Sequence, residues 1–356
     1  MILVQGLDVF EMATEHLEID SKIVEVTNLD NFYVTIESIY FIRDSKPFIF
    51  DRIENNFTNL LDNNISIISA SSNTNYFWCL ISNNSILELL QFSSDCLIEK
   101  TIINNFLNKS DLVLISTDIN TYIFQNDQNG LICLFELKNK ADLGKKILTQ
   151  EQNLNENSLS TIELNKILID KKVKCFSSGK EHILALTETN SEVYSFGIGT
   201  KGQLGFGKIE NRFQFTKIFN KAKYLCNGNI GWHSGLIDEN HDCFLWGWNS
   251  NCQIDPISSI VPNPTKKSIK DDLTGREIKF RKISLGSKHT VLIDTQHNLY
   301  SFGWNKYNQL FLENDGLNDL DEDNFNVESP VKIIEFNEKV LDVKCGPWST
   351  ILLFKD

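Results

Sequence analysis

Three histidines recur at matching positions in the C-terminal half of this 356-residue chain and are the first candidates for chemistry. His182, His233 and His289 each begin an apolar run, and an aromatic-glycine step ends 14 or 15 residues later. A histidine side chain can bind a metal ion or transfer a proton near neutral pH. Because the histidine keeps one place in each copy, we favour a structural role, a side-chain hydrogen bond to the backbone inside a sheet. One histidine per unit would also place the three too far apart to share an ion.

The segment 311–329 is a second candidate, because it carries seven carboxylates and no basic residue. Three of its acids have the alternate spacing that begins a calcium loop: Asp319, Asp321 and Asp323. Asn324 and Pro330 stand where such a loop needs glycine and glutamate, which excludes a calcium-binding hand. A solvated acidic loop is therefore expected, with a docking site for a basic segment as the alternative.

Motifs for catalysis are missing from the sequence. It contains no Gly-x-x-x-x-Gly-Lys-Ser/Thr loop, no Gly-x-Ser-x-Gly elbow and no His-Glu-x-x-His pair. We predict a protein that is not an enzyme and has no metal or cofactor of its own.

The net charge, the cysteine content and the distribution of apolar residues limit the classes of partner and the cellular location that we expect. The formal net charge is -13, so the chain repels nucleic-acid phosphates and favours basic proteins such as histones, or the charge serves only solubility. The 8 cysteines include no Cys-x-x-Cys pair and fit reduced core thiols of a cytosolic or nuclear protein. The N-terminus lacks the basic region of a signal peptide, and no apolar run approaches 18 residues, so no membrane association is expected.

The elements that must position these side chains form an internal repeat. Three copies share a glycine ahead of the histidine, an apolar run, an aromatic-glycine step and a glutamine 6 residues after that step. These copies are marked by Gly179, His182, Gly197, His233, Gly247, Gly286, His289 and Gly303. In the third copy, 289–294 and 299–302 predict two antiparallel strands around a polar turn. A fourth copy around Gly346 stops one strand later, and residues 2–6 are predicted to complete it.

The N-terminal half keeps the alternation of apolar strands and polar turns but lacks the glycine, histidine and glutamine motifs of the repeat. Two apolar strands around a polar turn are predicted in each of three ranges: 23–42, 65–90 and 112–137. Three weak copies, three clear ones and one shared between the termini make seven units. Residues 138–171 are interpreted as a surface insertion between the third and fourth units, partly helical or disordered. Two shorter insertions are predicted at 255–279 and 311–329.

One turn is expected to vary between copies. Where the first clear copy has Gly202, the second has Cys252 and the third has Asn308. Asparagine tolerates a left-handed backbone, whereas cysteine does so poorly. We therefore predict a different turn at Cys252.

The repeat resembles those of the regulator-of-chromosome-condensation family. That resemblance implies four-stranded blades, seven of which close into a ring. The predicted fold is all-β: a single seven-bladed β-propeller over residues 1–356, closed by strands from both termini. Closure would remove the exposed sheet edges that invite aggregation.

Tryptophans at the ends of predicted strands are the candidates for partner binding. Trp232 and Trp348 stand just before a histidine or serine that begins a strand, and Trp248 and Trp304 follow the aromatic-glycine step. Clustered tryptophan and tyrosine on a rigid rim are typical protein anchors, with packing between blades as the alternative for each ring. The predicted contact residues are Trp232, Trp248, Asn249, Trp304, Lys306, Tyr307 and Trp348, with Asp319, Asp321 and Asp323 in the acidic loop.

Two functions follow from the family resemblance. The sequence motifs of the C-terminal half, among them Trp232-His233-Ser234, are similar to those of a subgroup of this family. In that subgroup the N-terminal repeats are also degenerate. That similarity implies a chromatin-associated adaptor for a Jumonji-type oxygenase that acts in histone methylation state and chromosome segregation. The expected location is the nucleus, with the cytoplasm as an additional alternative. Iron and 2-oxoglutarate would belong to that oxygenase. The founding member implies instead a nucleotide-exchange factor for a small nuclear GTPase. We predict a monomeric, non-catalytic scaffold, with exchange as the alternative.

Overall fold

The computed structural model describes residues 112–127, 129–138, 167–226, 231–312, 325–333, 336 and 339–354 and, before residue 112, ten strands and residue 60. Within these ranges the chain forms strands and no helix. It follows that no helix in the described part of the chain could cross a membrane.

The strands form seven sheets of four strands each, and every neighbouring pair is antiparallel. The first two strands, β1 (Ile2–Gly6) and β2 (Lys22–Val24), belong to the last sheet. Sheet 1 consists of β3 (Asn31–Val34), β4 (Ile39–Arg43), β5 (Lys46–Asp51) and β6 (Asn56–Asn59). Sheet 2 consists of β7 (Ile67–Ser72), β8 (Phe77–Asn83), β9 (Ile86–Ser93) and β10 (Cys96–Ile103). Sheet 3 consists of β11 (Leu112–Ser116), β12 (Asn120–Asp127), β13 (Gly130–Lys138) and β14 (Ile167–Ile169).

The clear repeats supply the next three sheets. Sheet 4 consists of β15 (Val173–Ser178), β16 (His182–Thr187), β17 (Val193–Gly197) and β18 (Arg212–Phe219). Sheet 5 consists of β19 (Ala222–Leu225), β20 (His233–Asp238), β21 (Cys243–Trp248) and β22 (Ile260–Lys267). Sheet 6 consists of β23 (Phe280–Leu285), β24 (His289–Asp294), β25 (Leu299–Trp304) and β26 (Asn326–Ile333).

Sheet 7 combines the two ends of the chain. Its strand order is β27 (Val340–Cys345), β28 (Ser349–Phe354), β1 and β2. The register of β1 on β28 runs from Ile2 opposite Leu353 to Gly6 opposite Ser349. The N-terminal strand thus takes the place of the third strand that the fourth repeat copy lacks.

Burial follows the position of a strand within its sheet. In sheets 4 to 6 every residue of the second strand is buried, because apolar side chains of the neighbouring sheets cover both faces. The fourth strands of these sheets consist mostly of half-buried and exposed residues, since they lie at the edge. The main apolar clusters lie between consecutive sheets, as where Trp246 packs with Leu285 and Phe302.

The fourth strands correct the predicted insertions. The segment 138–171 does not separate two sheets, because β14 pairs with β13 inside sheet 3; residues 139–166 lie outside the described part. Likewise β22 falls within 255–279, and β26 begins at Asn326 within 311–329. The range 23–42 is also wrong as one unit, since β2 joins sheet 7 whereas β3 and β4 belong to sheet 1. Mixed polar and apolar sequence at a half-exposed edge gives no clear strand signal.

Candidate functional site

The tryptophans lie at one edge of the sheets because of the antiparallel register. In sheet 5, His233 opens β20 opposite Gly247 near the end of β21, so the residues beside them, Trp232 and Trp248, become neighbours. The Trp248 amide donates to the Trp232 carbonyl at 2.9 Å. The Trp304 amide donates to the Lys288 carbonyl at 2.9 Å in sheet 6. The same edge therefore presents two side chains per sheet.

These side chains connect into a continuous surface, here named the Trp–Lys arc: Lys180, Trp232, Trp248, Lys288, Trp304 and Trp348. The Trp232 and Trp248 ring centroids are 5.3 Å apart with nearly perpendicular planes, and those of Trp304 and Trp348 are 5.4 Å apart. The Lys288 ammonium joins the two pairs, lying 5.9 Å from the Trp248 ring centroid and 5.1 Å from that of Trp304. At the other end the Lys180 ammonium lies 4.3 Å from the Trp232 ring centroid.

Further contacts hold the arc in place. The Trp232 indole N–H donates to the Glu181 carboxylate at 2.8 Å, and the Tyr307 ring packs edge-on against Trp304 with centroids 5.3 Å apart. All four tryptophans are half-buried. Rings that are fixed on one side and open on the other lose little entropy when a partner binds. The arrangement offers contact area and positive charge.

The other predicted contact residues are not part of the arc. Asn249 is buried: its side-chain Nδ2 donates to the Asp255 carbonyl at 2.7 Å, and its side-chain Oδ1 accepts from the Ile254 backbone N–H at 2.8 Å. Its role is to fix the turn after β21, so we no longer place it in a contact surface. Lys306 is exposed, with its ammonium 5.9 Å from the Phe325 ring centroid. Asp319, Asp321 and Asp323 lie outside the described residues.

A cleft beside the arc was not expected from the sequence. It lies between the β11–β12 turn of sheet 3 and the edge of sheet 4, and we name it the Ile119 cleft. Its walls include Ile119, Tyr122, Ile198 and Phe213, and Glu181 links it to Trp232. Ile119 is 39% exposed and Phe213 is 66% exposed. An isoleucine flanked by Asp118 and Asn120 in a turn was the available signal.

The repeat histidines connect each sheet to the next. His182 Nε2 lies 2.7 Å from Ser234 Oγ, His233 Nε2 lies 3.2 Å from Thr290 Oγ1, and His289 Nε2 lies 3.0 Å from Thr350 Oγ1. Each hydroxyl belongs to the residue that follows the histidine, or its serine equivalent, in the next sheet. The expected structural role fits this geometry, but the bond joins two side chains across a sheet boundary. The prediction that each histidine side chain bonds to the backbone inside its own sheet was therefore wrong.

The hydroxyls determine the protonation of two of these rings. Ser234 Oγ donates to the Gln203 carbonyl at 3.0 Å, and Thr290 Oγ1 donates to the Gln253 carbonyl at 2.7 Å. A hydroxyl has one proton, so each must accept from the histidine, whose Nε2 carries hydrogen. Burial lowers the pKa of His182, the pKa of His233 and the pKa of His289 to about 3. Neutral, buried rings of this kind are unsuited to proton transfer near pH 7.

Two glycines of the repeat are needed for this contact. A Cβ on Gly286 would lie 2.0 Å from Cε1 of the His289 ring, so the ring occupies the space of a side chain. A Cβ on Gly247 would lie 2.5 Å from the Trp232 carbonyl oxygen, and its φ of 107° is one that glycine adopts freely. The spacing of glycine and histidine thus reflects packing.

The turn at Cys252 corrects another expectation. Cys252 has φ 59°, close to 74° for Gly202 and 55° for Asn308. In each copy the following glutamine accepts a backbone N–H from two residues before it, as Gln253 does from Asn251 at 2.8 Å. The turn is therefore the same, and cysteine adopts the strained conformation because the surrounding contacts require it.

The part of the chain that the structure describes contains no group of three or more histidine, cysteine, aspartate or glutamate side chains suited to a metal ion. Among the cysteines whose side chains the structure describes, seven are free thiols, and five of these are buried. Burial raises the pKa of Cys175 to about 11 and that of Cys345 to about 12, so these thiols are poor nucleophiles.

Comparison with known proteins supports a repeat assignment. Residues 280–309 and 296–353 match models of the regulator of chromosome condensation (RCC1) repeat. RCC1 domain-containing protein 1 of Mus musculus is 28% identical over 217 residues, which cover 50% of this chain and 55% of the relative. The Homo sapiens protein of that name is 27% identical over 212 residues, which cover 48% and 54%. The matched regions thus span about half the length of these curated relatives.

Solved structures show the same fold. The crystal structure of Prp20p from Saccharomyces cerevisiae, the yeast RCC1, superposes with a TM-score of 0.67 at 14% identity and covers 99% of this chain and 90% of that one. It was reported with the binding properties of Prp20p to Gsp1p and histones. At this identity the likeness concerns the fold alone.

Proposed function

We propose that this chain, which carries RCC1 repeats, is a non-catalytic protein-interaction platform that binds its partner through the Trp–Lys arc. The observation that carries the proposal is the arc itself: four half-buried tryptophans from three sheets and two lysines form one connected surface. Tryptophan anchors on rigid backbone dominate the energy of many protein interfaces. The three repeat histidines, which were the other candidates for chemistry, are neutral, and each is engaged in a contact with a hydroxyl of the next sheet.

We further propose that the seven sheets are blades of one closed ring that spans residues 1–356. Pairing of β1 with β28 supports closure, as does contact between the first strands of consecutive sheets, including β27 with β3. A closed ring would hold the arc rigid, because no sheet edge remains to fray.

The proposed partner is a Jumonji-type histone-modifying oxygenase, with this chain as its adaptor on chromatin in the nucleus. Similarity to the mammalian RCC1 domain-containing protein 1 sequences supports this assignment, since the subgroup implies such an adaptor. Histones are a second proposed partner, consistent with the net charge of -13. Iron and 2-oxoglutarate chemistry would then be supplied by the oxygenase.

The test is quantitative affinity purification from nuclear and cytosolic extracts of cells expressing tagged chain. We expect the oxygenase to be enriched with the wild type and to be lost with the double variant Trp248→Ala, Trp304→Ala. The matched control is Leu273→Ala, because Leu273 is 95% exposed in the loop between β22 and β23, at the opposite edge of the sheets. Thermal unfolding of each variant checks the fold. Equal recovery of partners by the double variant and the wild type would contradict a role for the arc.

Guanine-nucleotide exchange on a small nuclear GTPase is the second candidate. Its support is the fold shared with Prp20p, whose structure was reported with binding to Gsp1p. The measurement is release of a fluorescent guanine nucleotide from the loaded GTPase. Unchanged release at saturating chain concentration rules out exchange on that GTPase and leaves the platform function intact.

A further inference from the structure

We infer that the Trp–Lys arc takes an acidic peptide segment, with carboxylates at Lys288 and an apolar side chain in the Ile119 cleft. The inference rests on the proposed function and names the chemistry of its partner. Three features carry it: the occupied ring faces of the arc, the ammonium of Lys288, which no carboxylate of the described residues neutralises, and the apolar cleft at the other end.

The arc already contains its own cations. Lys180 lies over the Trp232 ring, and Lys288 lies against the rings of both Trp248 and Trp304. An indole ring attracts a cation through the negative charge of its face, and a face that holds one ammonium repels a second. Basic tails are therefore disfavoured at the ring faces that Lys180 and Lys288 occupy.

Lys288 is the cation available to a partner. Its half-buried ammonium has no carboxylate within ion-pair distance among the described residues. Lysines elsewhere in the described part of the chain are neutralised, as Lys282 is by Asp342 at 3.1 Å and Lys279 is by Asp242. Two indole rings hold the Lys288 ammonium in place, so a carboxylate would meet a charge that is already positioned.

A second lysine adds to the positive charge that Lys288 offers to a partner. Lys306, exposed next to the Trp304 turn, adds a second positive charge at the same edge. The whole chain carries a net charge of -13, so Lys288 and Lys306, among the described residues, select both the docking place and the orientation of an acidic segment.

The other end of the arc differs in charge and shape. Lys180 is paired with Asp118 at 3.9 Å, and Glu181 accepts the Trp232 indole N–H. Acidic residues of a partner are disfavoured here, whereas Ile119 and Phe213 expose apolar surface. The arc is thus apolar at the Ile119 cleft and positively charged at Lys288. A peptide segment with a large apolar residue at one end and carboxylates at the other matches this arrangement.

The experiment measures fluorescence anisotropy of labelled peptides of about twelve residues with the purified full chain. One peptide is rich in Asp and Glu and ends in Leu, a second replaces the Leu by Ser, and a third is the Lys-rich counterpart. We expect the first to bind most tightly, the second more weakly and the third least, with affinity falling as salt rises. Lys288→Gln should weaken the acidic peptide by about tenfold.

Two further variants sharpen the result. Lys288→Arg keeps both the charge and the stacking and should keep binding, even if Lys288→Gln loses stability. Lys332→Gln removes a charge from the exposed strand β26 and should leave binding unchanged. Equal binding by Lys288→Gln, tighter binding of the Lys-rich peptide, or no binding of any peptide would overturn the inference. If the Lys-rich peptide binds and Trp304→Ala abolishes that binding, the platform function stands and only the acidic specificity fails.

Discussion

Two kinds of sheet boundary coexist in this chain. Between sheets 4 and 7 each boundary is crossed by a buried histidine that contacts a hydroxyl of the next sheet, as His289 contacts Thr350. Between sheets 2 and 3 serine hydroxyls accept backbone N–H groups, Ser69 from Leu114 at 3.0 Å and Ser71 from Ser116 at 2.9 Å. Apolar packing of Trp78 with Leu114 completes that boundary. Ser284 accepts from Cys345 in the same way at the boundary between sheets 6 and 7, beside the histidine contact.

The difference shows that a sheet boundary forms with the histidine contact or without it, because the serine contact occurs in both kinds. A buried polar atom must find a partner, and both the histidine and the serine arrangements provide one. The histidine arrangement also requires a glycine to make room for the ring, which is why the two residues recur together. The serine arrangement leaves no long-range sequence pattern.

The largest expected effect is the pH dependence of the free energy of unfolding, which the histidine contacts contribute to and the serine contacts do not. Histidines of the unfolded chain titrate near pH 6.5, whereas the three buried ones stay neutral down to about pH 3. Below pH 6.5 the unfolded state therefore binds protons that the folded state does not, and the free energy of unfolding falls. The slope is up to about 1.4 kcal/mol per pH unit for each histidine, or about 4 kcal/mol for three.

Urea unfolding at pH 7, 6 and 5 measures that slope. The serine contacts do not titrate in this window and add nothing to it. In His289→Gln the slope should fall by one third, whatever the loss of stability at pH 7. A slope that the substitution leaves unchanged would show that other groups control the acid sensitivity.

A steric test of the histidine boundary comes next. Gly286→Ala places a methyl group in the space of the His289 ring and should destabilise the fold by about 3 kcal/mol. Gly275→Ala is the control, because its φ is 66° but nothing lies within 4 Å of the added Cβ. It should cost about 1 kcal/mol, from backbone strain alone. Equal losses in urea unfolding would mean that the ring moves aside without cost.

The same hydrogen bond can be compared in the two halves. Ser71→Ala removes the acceptor of the Ser116 N–H, and Ser284→Ala removes that of the Cys345 N–H, bonded at 2.8 Å. Each substitution leaves a buried N–H without its partner and should cost about 1 kcal/mol. Chemical denaturation checks both. A much smaller loss for Ser71→Ala would indicate that the boundary between sheets 2 and 3 already opens in the native state.

The smallest effect concerns the left-handed turn. Cys252→Gly should stabilise the protein by about 1 kcal/mol, because glycine adopts a φ near 59° without the penalty of a Cβ. Asn308→Gly, at the equivalent turn, should change stability by only a few tenths of that amount, since asparagine tolerates the conformation. Differential scanning calorimetry compares the two midpoints. A loss of stability in Cys252→Gly would show that thiol packing outweighs the strain.

The sequence predicted the inner strands well and the outer ones poorly. The second strands of sheets 4 to 6 are continuous apolar runs because they are buried on both faces, and such runs are visible in the sequence. The outer strands β14, β22 and β26 fall in segments that the sequence predicts to be insertions, because an edge strand carries no consistent pattern. The predicted tryptophan cluster was within reach because constant spacing places equivalent residues at one edge. The Ile119 cleft was not, since it joins parts of two sheets with different signatures.

What the sequence by itself determined is the repeat: a glycine, a histidine, an aromatic-glycine step and a glutamine at constant spacing, each dictated by the space and hydrogen bonds inside one unit. Only the tertiary structure decided which residues of different units meet. Contacts of His182 with Ser234, or of Lys288 with Trp248, depend on how one sheet packs on the next. Spacing along the chain reports local geometry, whereas these contacts join residues that packing alone brings together.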